Sequence, residues 1–333
     1  MLIIFAQQIR NILFSFALVI MLLYSFKTIA TERTLLFSGG PDGGTFQYFS
    51  AGISEYLSKE IDGYMILNES SAGSVENLKR LNNREADFGI TYSGDLYLGR
   101  NGRLRNNPRQ FRNVHALAYL YGAPAHLVVL NDRQINSVSD LVGKKVAIGA
   151  SGSGAAASAQ RFFESMSVWG KIEPQYLGYS EGAAALGDGL IDALWVFAGY
   201  PNSAVIQAAS SNKIKLLQTY SEAKKNGKLF EDFPFYSKVV IPAATYQGVD
   251  YDVVTIQDSA LWTAGRHLPG DFVEKAVQLI YQSKGLEHLV SLKSTAKAMS
   301  IDSGLTGIVT PVHKGAQSFW ESKGKTLSAE QIR

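Results

Sequence analysis

The residues best suited to chemistry in this chain are small ones in turns. Four Gly- or Ser-rich turns recur: Gly43-Gly44-Thr45, Ser70-Ser71-Ala72-Gly73-Ser74, Ser151-Gly152-Ser153-Gly154 and Gly199-Tyr200-Pro201-Asn202. Glycine lets a ligand approach the backbone, and serine adds a compact donor and acceptor. Where such a turn opens a helix, unpaired N–H groups and the helix dipole favour an anion. The chemistry on offer is capture of a small polar or anionic molecule. Candidate contacts are Gly44, Thr45, Phe46, Ser71, Ser74, Tyr92 and Ser93 in the first half of the chain, with Ser151, Ser153, Gly154 and Tyr200 in the second. Tyr121 and Phe197 could add apolar wall. Tyr92 and Tyr200 each end a strand and carry a hydroxyl to present. Only Arg100 and Arg161 offer themselves as a positive partner for a carboxylate.

Catalytic patterns are missing where they would be expected. Gly149-Ala150-Ser151-Gly152-Ser153 fails the nucleophile-elbow pattern, because Ser153 stands where its second glycine belongs. Gly152-Ser153-Gly154-Ala155-Ala156-Ala157 only approximates a dinucleotide fingerprint, and Pro174-Gln175 stand where the acidic residue should follow. The histidines (His115, His126, His267, His288, His313) lack metal-ligand spacing. His126 lies in an apolar run and reads as structural. Binding without catalysis, metal or cofactor is the expectation.

Alternating short strands and amphipathic helices must position these turns. Strands are expected at Leu35–Phe37, Tyr64–Leu67 and Asp87–Thr91, with helices over Thr45–Ile61 and from a Ser74 cap onward. Phe46, Phe49, Ile53 and Leu57 make one stripe. A second set has strands at Lys145–Ile148, Gln175–Gly178 and Asp192–Phe197, a helix through Met166, a short helix capped by Ser180, and a helix with Pro201 in its first turn. Such alternation gives α/β units with largely parallel sheets. The apolar stretches Val114–Leu130 and Val253–Ala264 read as the two crossings between units. The expected division is residues 31–125 plus 252–333 in one lobe and 126–251 in the other.

Residues 1–30 read as a cleavable signal peptide. Arg10 precedes an apolar run too short to span a bilayer, and Thr28-Ile29-Ala30 supplies the small-x-small cleavage pattern. The chain has no cysteine, which suits a bacterial periplasm and excludes a lipid-modified cysteine tether. Net charge is +3, and near zero once Arg10 and Lys27 are set aside, so no nucleic-acid footprint is expected.

Several segments in order carry a family resemblance. They are Ser38-Gly39-Gly40 through Gly43-Gly44-Thr45, Ala72-Gly73-Ser74-Val75-Glu76-Asn77-Leu78, Ala86-Asp87-Phe88-Gly89-Ile90, Leu141–Val146 with Gly152-Ser153-Gly154, Gly189–Ala193, Ile241–Tyr246, and Leu305-Thr306-Gly307 through His313. Across residues 35–325 the chain resembles the TAXI family of substrate-binding proteins of tripartite ATP-independent periplasmic (TRAP) transporters. The resemblance implies a type II periplasmic-binding fold, two α/β lobes joined by a hinge of crossing strands. It also implies carboxylate or amino-acid ligands such as glutamate, glutamine or 2-oxoglutarate, and a TRAP-type membrane permease as partner. A sensor subunit that shows its bound form to a membrane receptor would share this sequence pattern. Phe46-Gln47-Tyr48, Tyr92, Gly122-Ala123 and Ala155-Ala156 depart from the family pattern and remove polar groups near the expected cleft.

Overall fold

Two long strands run through the centre of the molecule. The computed structural model describes residues 32–105 and 107–332, so the leader read over residues 1–30 lies outside the described residues. The elements in chain order are β1 (Arg33–Ser38), α1 (Thr45–Glu60), β2 (Tyr64–Glu69), α2 (Ser74–Asn83), β3 (Phe88–Tyr92), α3 (Ser93–Arg100) and β4 (Val114–Leu130). Then come β5 (Lys145–Ala147), α4 (Gly154–Ser165), β6 (Glu173–Gln175), α5 (Tyr179–Gly187), β7 (Ala193–Phe197), α6 (Ser203–Ser211), β8 (Ile214–Leu216), α7 (Thr219–Asn226), α8 (Lys228–Asp232) and β9 (Ser237–Ile241). β10 (Val253–Gly265), α9 (Gly270–Tyr281), α10 (Ser283–Leu292), α11 (Lys314–Ser322) and α12 (Ala329–Ile332) close the chain.

Strand order is β2-β1-β3-β10-β4-β7-β5-β6, with β8 added to β4 and β9 to β10. β4 changes partner along its length. Val114 to Pro124 pair with β10, and Ala125 to Val129 pair with β7. β10 does likewise, pairing with β9 over Val253–Gln257 and with β3 over Ala260–Ala264. β1 lies parallel to β3, and β5 lies parallel to both β6 and β7. The result is two α/β halves held on one antiparallel pair, β4 and β10. Val114–Leu130 is thus one unbroken strand, because Gly122 and Ala123 sit in register with Ser259 and Asp258 and keep the ladder going.

The apolar stripe of α1 is buried, with Phe49, Ile53 and Leu57 almost solvent-free. Fully buried side chains such as Phe88, Leu127, Trp195 and Trp262 show strands covered on both faces. The C-terminal helices pack on the first half, where Trp320 Nε1 donates to the Leu117 carbonyl at 2.8 Å. Three caps differ from expectation. Ser180 lies inside α5, whose N-cap is Gly178. Ser74 lies inside α2, whose N-cap is Gly73 at φ 118°, a conformation that disfavours any side chain. Pro201 precedes α6, because Asn202 does the capping through its side chain on the amides of Ala204 and Val205. Among the described residues no helix is long and apolar enough to cross a membrane.

Candidate functional site

Four helix N-termini converge where the halves meet. α1 and α2 arrive from the first half, α4 and α5 from the second. Between them lies a small cavity of about 20 Å³, room for about one water. Its wall includes Gly44, Thr45, Phe46, Ser74 and Tyr92 from the first half and Ser153 and Gly154 from the second, all candidates from the sequence. Pro41, Tyr121, Gly178, Tyr179 and Ala198 complete much of the remainder. Among the described residues no charged side chain lines the cavity. The N-caps of α1, α2 and α5 are glycines, and those of α1 and α2 leave no side-chain acceptor on the first turn. The site therefore offers amide and hydroxyl donors in an aromatic frame, with Phe46 and Tyr92 rings 4.9 Å apart.

Four of the sequence candidates do not reach the cavity. The Ser71 hydroxyl has its single proton between Asn77 Oδ1 at 2.7 Å and Gly39 O at 3.1 Å and accepts from Gly73 N, so it is committed to its own wall. Ser93 donates to the Gly307 carbonyl. Tyr200 packs by its own backbone against Thr295, whose hydroxyl donates to the Tyr200 carbonyl. Ser151 lines an adjacent open groove of about 480 Å³, shared with Lys79, Arg103, Arg161 and Glu164. Ser153 lines both groove and cavity.

Asn77 organises the first wall. Its side-chain oxygen accepts from Ser38 and Ser71, both at 2.7 Å, and its amide donates to Gly39 O at 2.7 Å and Ile90 O at 2.8 Å. All its bonding capacity is used, so it ties the ends of β1 and β3 to the turn before α2. Ser74 finishes the job by accepting from the Tyr92 amide at 2.9 Å. Its hydroxyl is structural on one lone pair even though it faces the cavity.

The halves touch directly across the gap. The Tyr92 hydroxyl donates to the Phe197 carbonyl, which also accepts from Tyr179 at 2.8 Å. Ser203 donates to Gly43 O at 2.8 Å. Gly154 permits the approach, because a Cβ there would lie 2.6 Å from both Ser74 Cβ and the Tyr92 ring. Burial raises the hydroxyl pKa of Tyr92 and Tyr121 well above the ordinary phenol value, so both remain donors across the working pH range. Tyr121 is 1% exposed, and its hydroxyl makes no well-aligned hydrogen bond, having only a poorly directed contact with the Thr45 hydroxyl. A buried hydroxyl left unpaired costs about 1–3 kcal/mol.

A second, charged contact crosses the same boundary. Arg161 of α4 places Nη1 2.9 Å from Asp95 Oδ1 of α3, and its Nε donates to the Tyr236 hydroxyl at 2.7 Å. The guanidinium lies over the rings of Phe233, Phe235 and Tyr236 at 5.6–5.8 Å. Asp258 of β10 is buried close by and accepts from the amides of Gly94 and Ser259. Its carboxyl is pushed up to about 8, first by burial and then by Asp95, against the pull of Arg161. The Asp95 oxygens and Arg161 Nη2 make no aligned hydrogen bond. Arg161 is thus engaged by protein groups. Arg100 is far from the cleft, donating to the Val114 carbonyl at the outer end of β4. His126 is structural: Nε2 meets the Tyr246 hydroxyl at 2.8 Å, and burial lowers its pKa to about 4, keeping it neutral.

Two α/β halves on paired crossing strands, with helix N-termini facing one gap, define the type II periplasmic-binding fold. Residues 37–324 match the NMT1-like family model, and the chain belongs to that family. The fold also matches solved structures. The periplasmic binding protein BugD shares 13% identity over 88% of this chain and 98% of its own, with a TM-score of 0.50. A Bordetella bronchiseptica RB50 protein shares 17% identity over 88% and 81%, also at 0.50. The alkanesulfonate-binding protein SsuA from Xanthomonas axonopodis pv. citri, bound to MOPS, shares 13% over 87% and 90%, with a TM-score of 0.48.

Proposed function

We propose that this chain is an exported solute receptor that closes around a small polar or anionic solute, of the carboxylate or amino-acid class, and delivers it to a TRAP-type secondary transporter. The observation that carries the reading is the convergence of four helix N-termini on a cavity free of charged side chains, with the buried Tyr121 hydroxyl beside it lacking a well-aligned partner. A solute that accepts from that hydroxyl removes the cost of its isolation, and the amide ends of α1, α2, α4 and α5 favour its negative end. The cavity as described holds about one water. Loading therefore requires the halves to part, and closing adds donors from the second half. Affinity for the closed form drives that shift. The permease assignment rests on the TAXI resemblance, and export rests on the leader pattern. The proposed role is binding and delivery of the solute, without its conversion.

The test is native mass spectrometry of protein purified from cells, followed by a thermal-shift screen of carboxylates and amino acids. Tyr121→Phe should weaken the stabilising solute about 3–10-fold. Ser153→Trp should abolish the shift by filling the cavity. If no such compound raises Tm, or both variants respond like wild type, the site assignment fails. Delivery is checked separately: vesicles carrying the permease should take up the solute only when this chain is added.

A further inference from the structure

A second concavity lies at the outer end of β4, away from the gap. The pairing of β4 passes to the second half at Ala125, ten residues beyond His115. At the rise of an extended strand this separates the two places by about 30 Å. The concavity has a volume of about 540 Å³. Arg100, Arg112, His115, Arg266, His313 and Lys314 all line it, and among the described residues no acidic side chain does. Arg100, Arg112, Arg266 and Lys314 make no ion pair among the described residues. Arg100 instead donates to the carbonyls of Arg112 and Val114.

Such crowding is costly without a counter-charge. Burial, then Arg112 and Arg266, lower the Arg100 pKa, and burial, Arg100, His313 and Arg266 push His115 down to about 3. The His115 ring stands edge-on to His313 at 6.3 Å, and its buried Nδ1 has no hydrogen-bond partner. Two helices also begin here: Gly270 opens the 12-residue α9, and Lys314 opens the 9-residue α11. Their dipoles add to the positive field. In a chain whose total charge is only +3, this local excess stands out.

We propose that this pocket binds a phosphate-class oxyanion, either free or carried by a lipid headgroup. Guanidinium forks suit a tetrahedral oxyanion bidentately, and a multiply charged anion neutralises more than one of the four cations. The site is separate from the solute cavity, so its occupancy and the solute's are independently measurable.

The experiment is calorimetric titration of the full chain with sodium pyrophosphate at low ionic strength. In parallel, the chain is sedimented with vesicles of phosphatidylglycerol and of phosphatidylcholine. Arg266→Glu and Arg112→Glu, both at exposed positions, should each weaken pyrophosphate at least tenfold while Tyr121→Phe leaves it unchanged. Capture by phosphatidylglycerol that both charge reversals abolish identifies a headgroup as the source. Binding of pyrophosphate without vesicle capture identifies a free anion. The proposal is overturned if wild type binds neither, or if both folded charge-reversal variants bind as wild type does.

Discussion

Two buried polar clusters flank the cavity, and they are built on opposite principles. The Asn77 cluster is centred on a neutral amide, lies within the first half and has each bond of that amide satisfied, with Arg80 reaching only its edge at Ser38. The Arg161 cluster is charged, spans both halves and leaves Asp95 and part of Arg161 without aligned bonds. A satisfied neutral cluster gains nothing from water and suits a wall that must not move. Buried charges with incomplete bonding are better hydrated, so they suit a boundary that opens. The difference separates what holds the site's shape from what sets how firmly it shuts.

The largest effect that could break this comparison is expected at Asn77. Asn77→Leu removes four buried hydrogen bonds, and should cost about 2–5 kcal/mol in urea unfolding. A loss under 1 kcal/mol would show that the wall does not depend on it. Arg161→Met comes next. In a rigid interior, removing one partner of a buried pair costs about 3–5 kcal/mol. Here the unfolding cost should be smaller, because Asp95 can rehydrate when the halves part, and small-angle scattering should show a larger radius of gyration. A full stability loss with an unchanged envelope would make the cluster as static as Asn77.

Asp258 sharpens the contrast through pH. Its carboxyl is raised to about 8 in the folded chain from an ordinary value near 3.8. Between those values the folded state holds a proton that the unfolded state has released. Stability should therefore fall as pH rises from about 4 to about 8, by at most ~1.4 kcal/mol per pH unit for one proton. Asp258→Asn should flatten that slope, whereas Asn77→Leu should leave it intact. The smallest effect is expected at Tyr121, where Tyr121→Phe should stabilise the empty chain in urea unfolding by about 1 kcal/mol, because it removes a buried hydroxyl without a well-aligned partner.

Much of this was legible before any coordinates, for identifiable reasons. Glycine and serine turns between strand and helix mark sheet ends whatever the tertiary packing, so Gly44, Thr45, Ser74, Ser153 and Gly154 fell on the cavity wall. Ser71 and Ser93 did not, because a serine beside a turn readily spends its hydroxyl on nearby backbone or side chains. Tyr179 was missed through a boundary: the strand expected at Gln175–Gly178 ends at Gln175, which frees Gly178 to cap α5 and turns Tyr179 inward. Tyr121 could be named as wall from its place near Gly122. Its hydroxyl's lack of a well-aligned partner could not, since that depends on which neighbours three other segments bring. The Arg161 cluster joins residues 95, 161, 236 and 258, a set that no local pattern links.

The insertion of β10 between β3 and β4 has a consequence for how the chain matures. β3 and β4 have no ladder to each other, and both take their antiparallel partner from Val253–Gly265. The first half also waits for Trp320 to reach Leu117. The second half draws β5, β6, β7 and β8 from one contiguous stretch that needs only the tail of β4. In order of synthesis, the portion made first stays without its central strand until residues 253–265 are available, while β5 to β8 find all their ladder partners earlier.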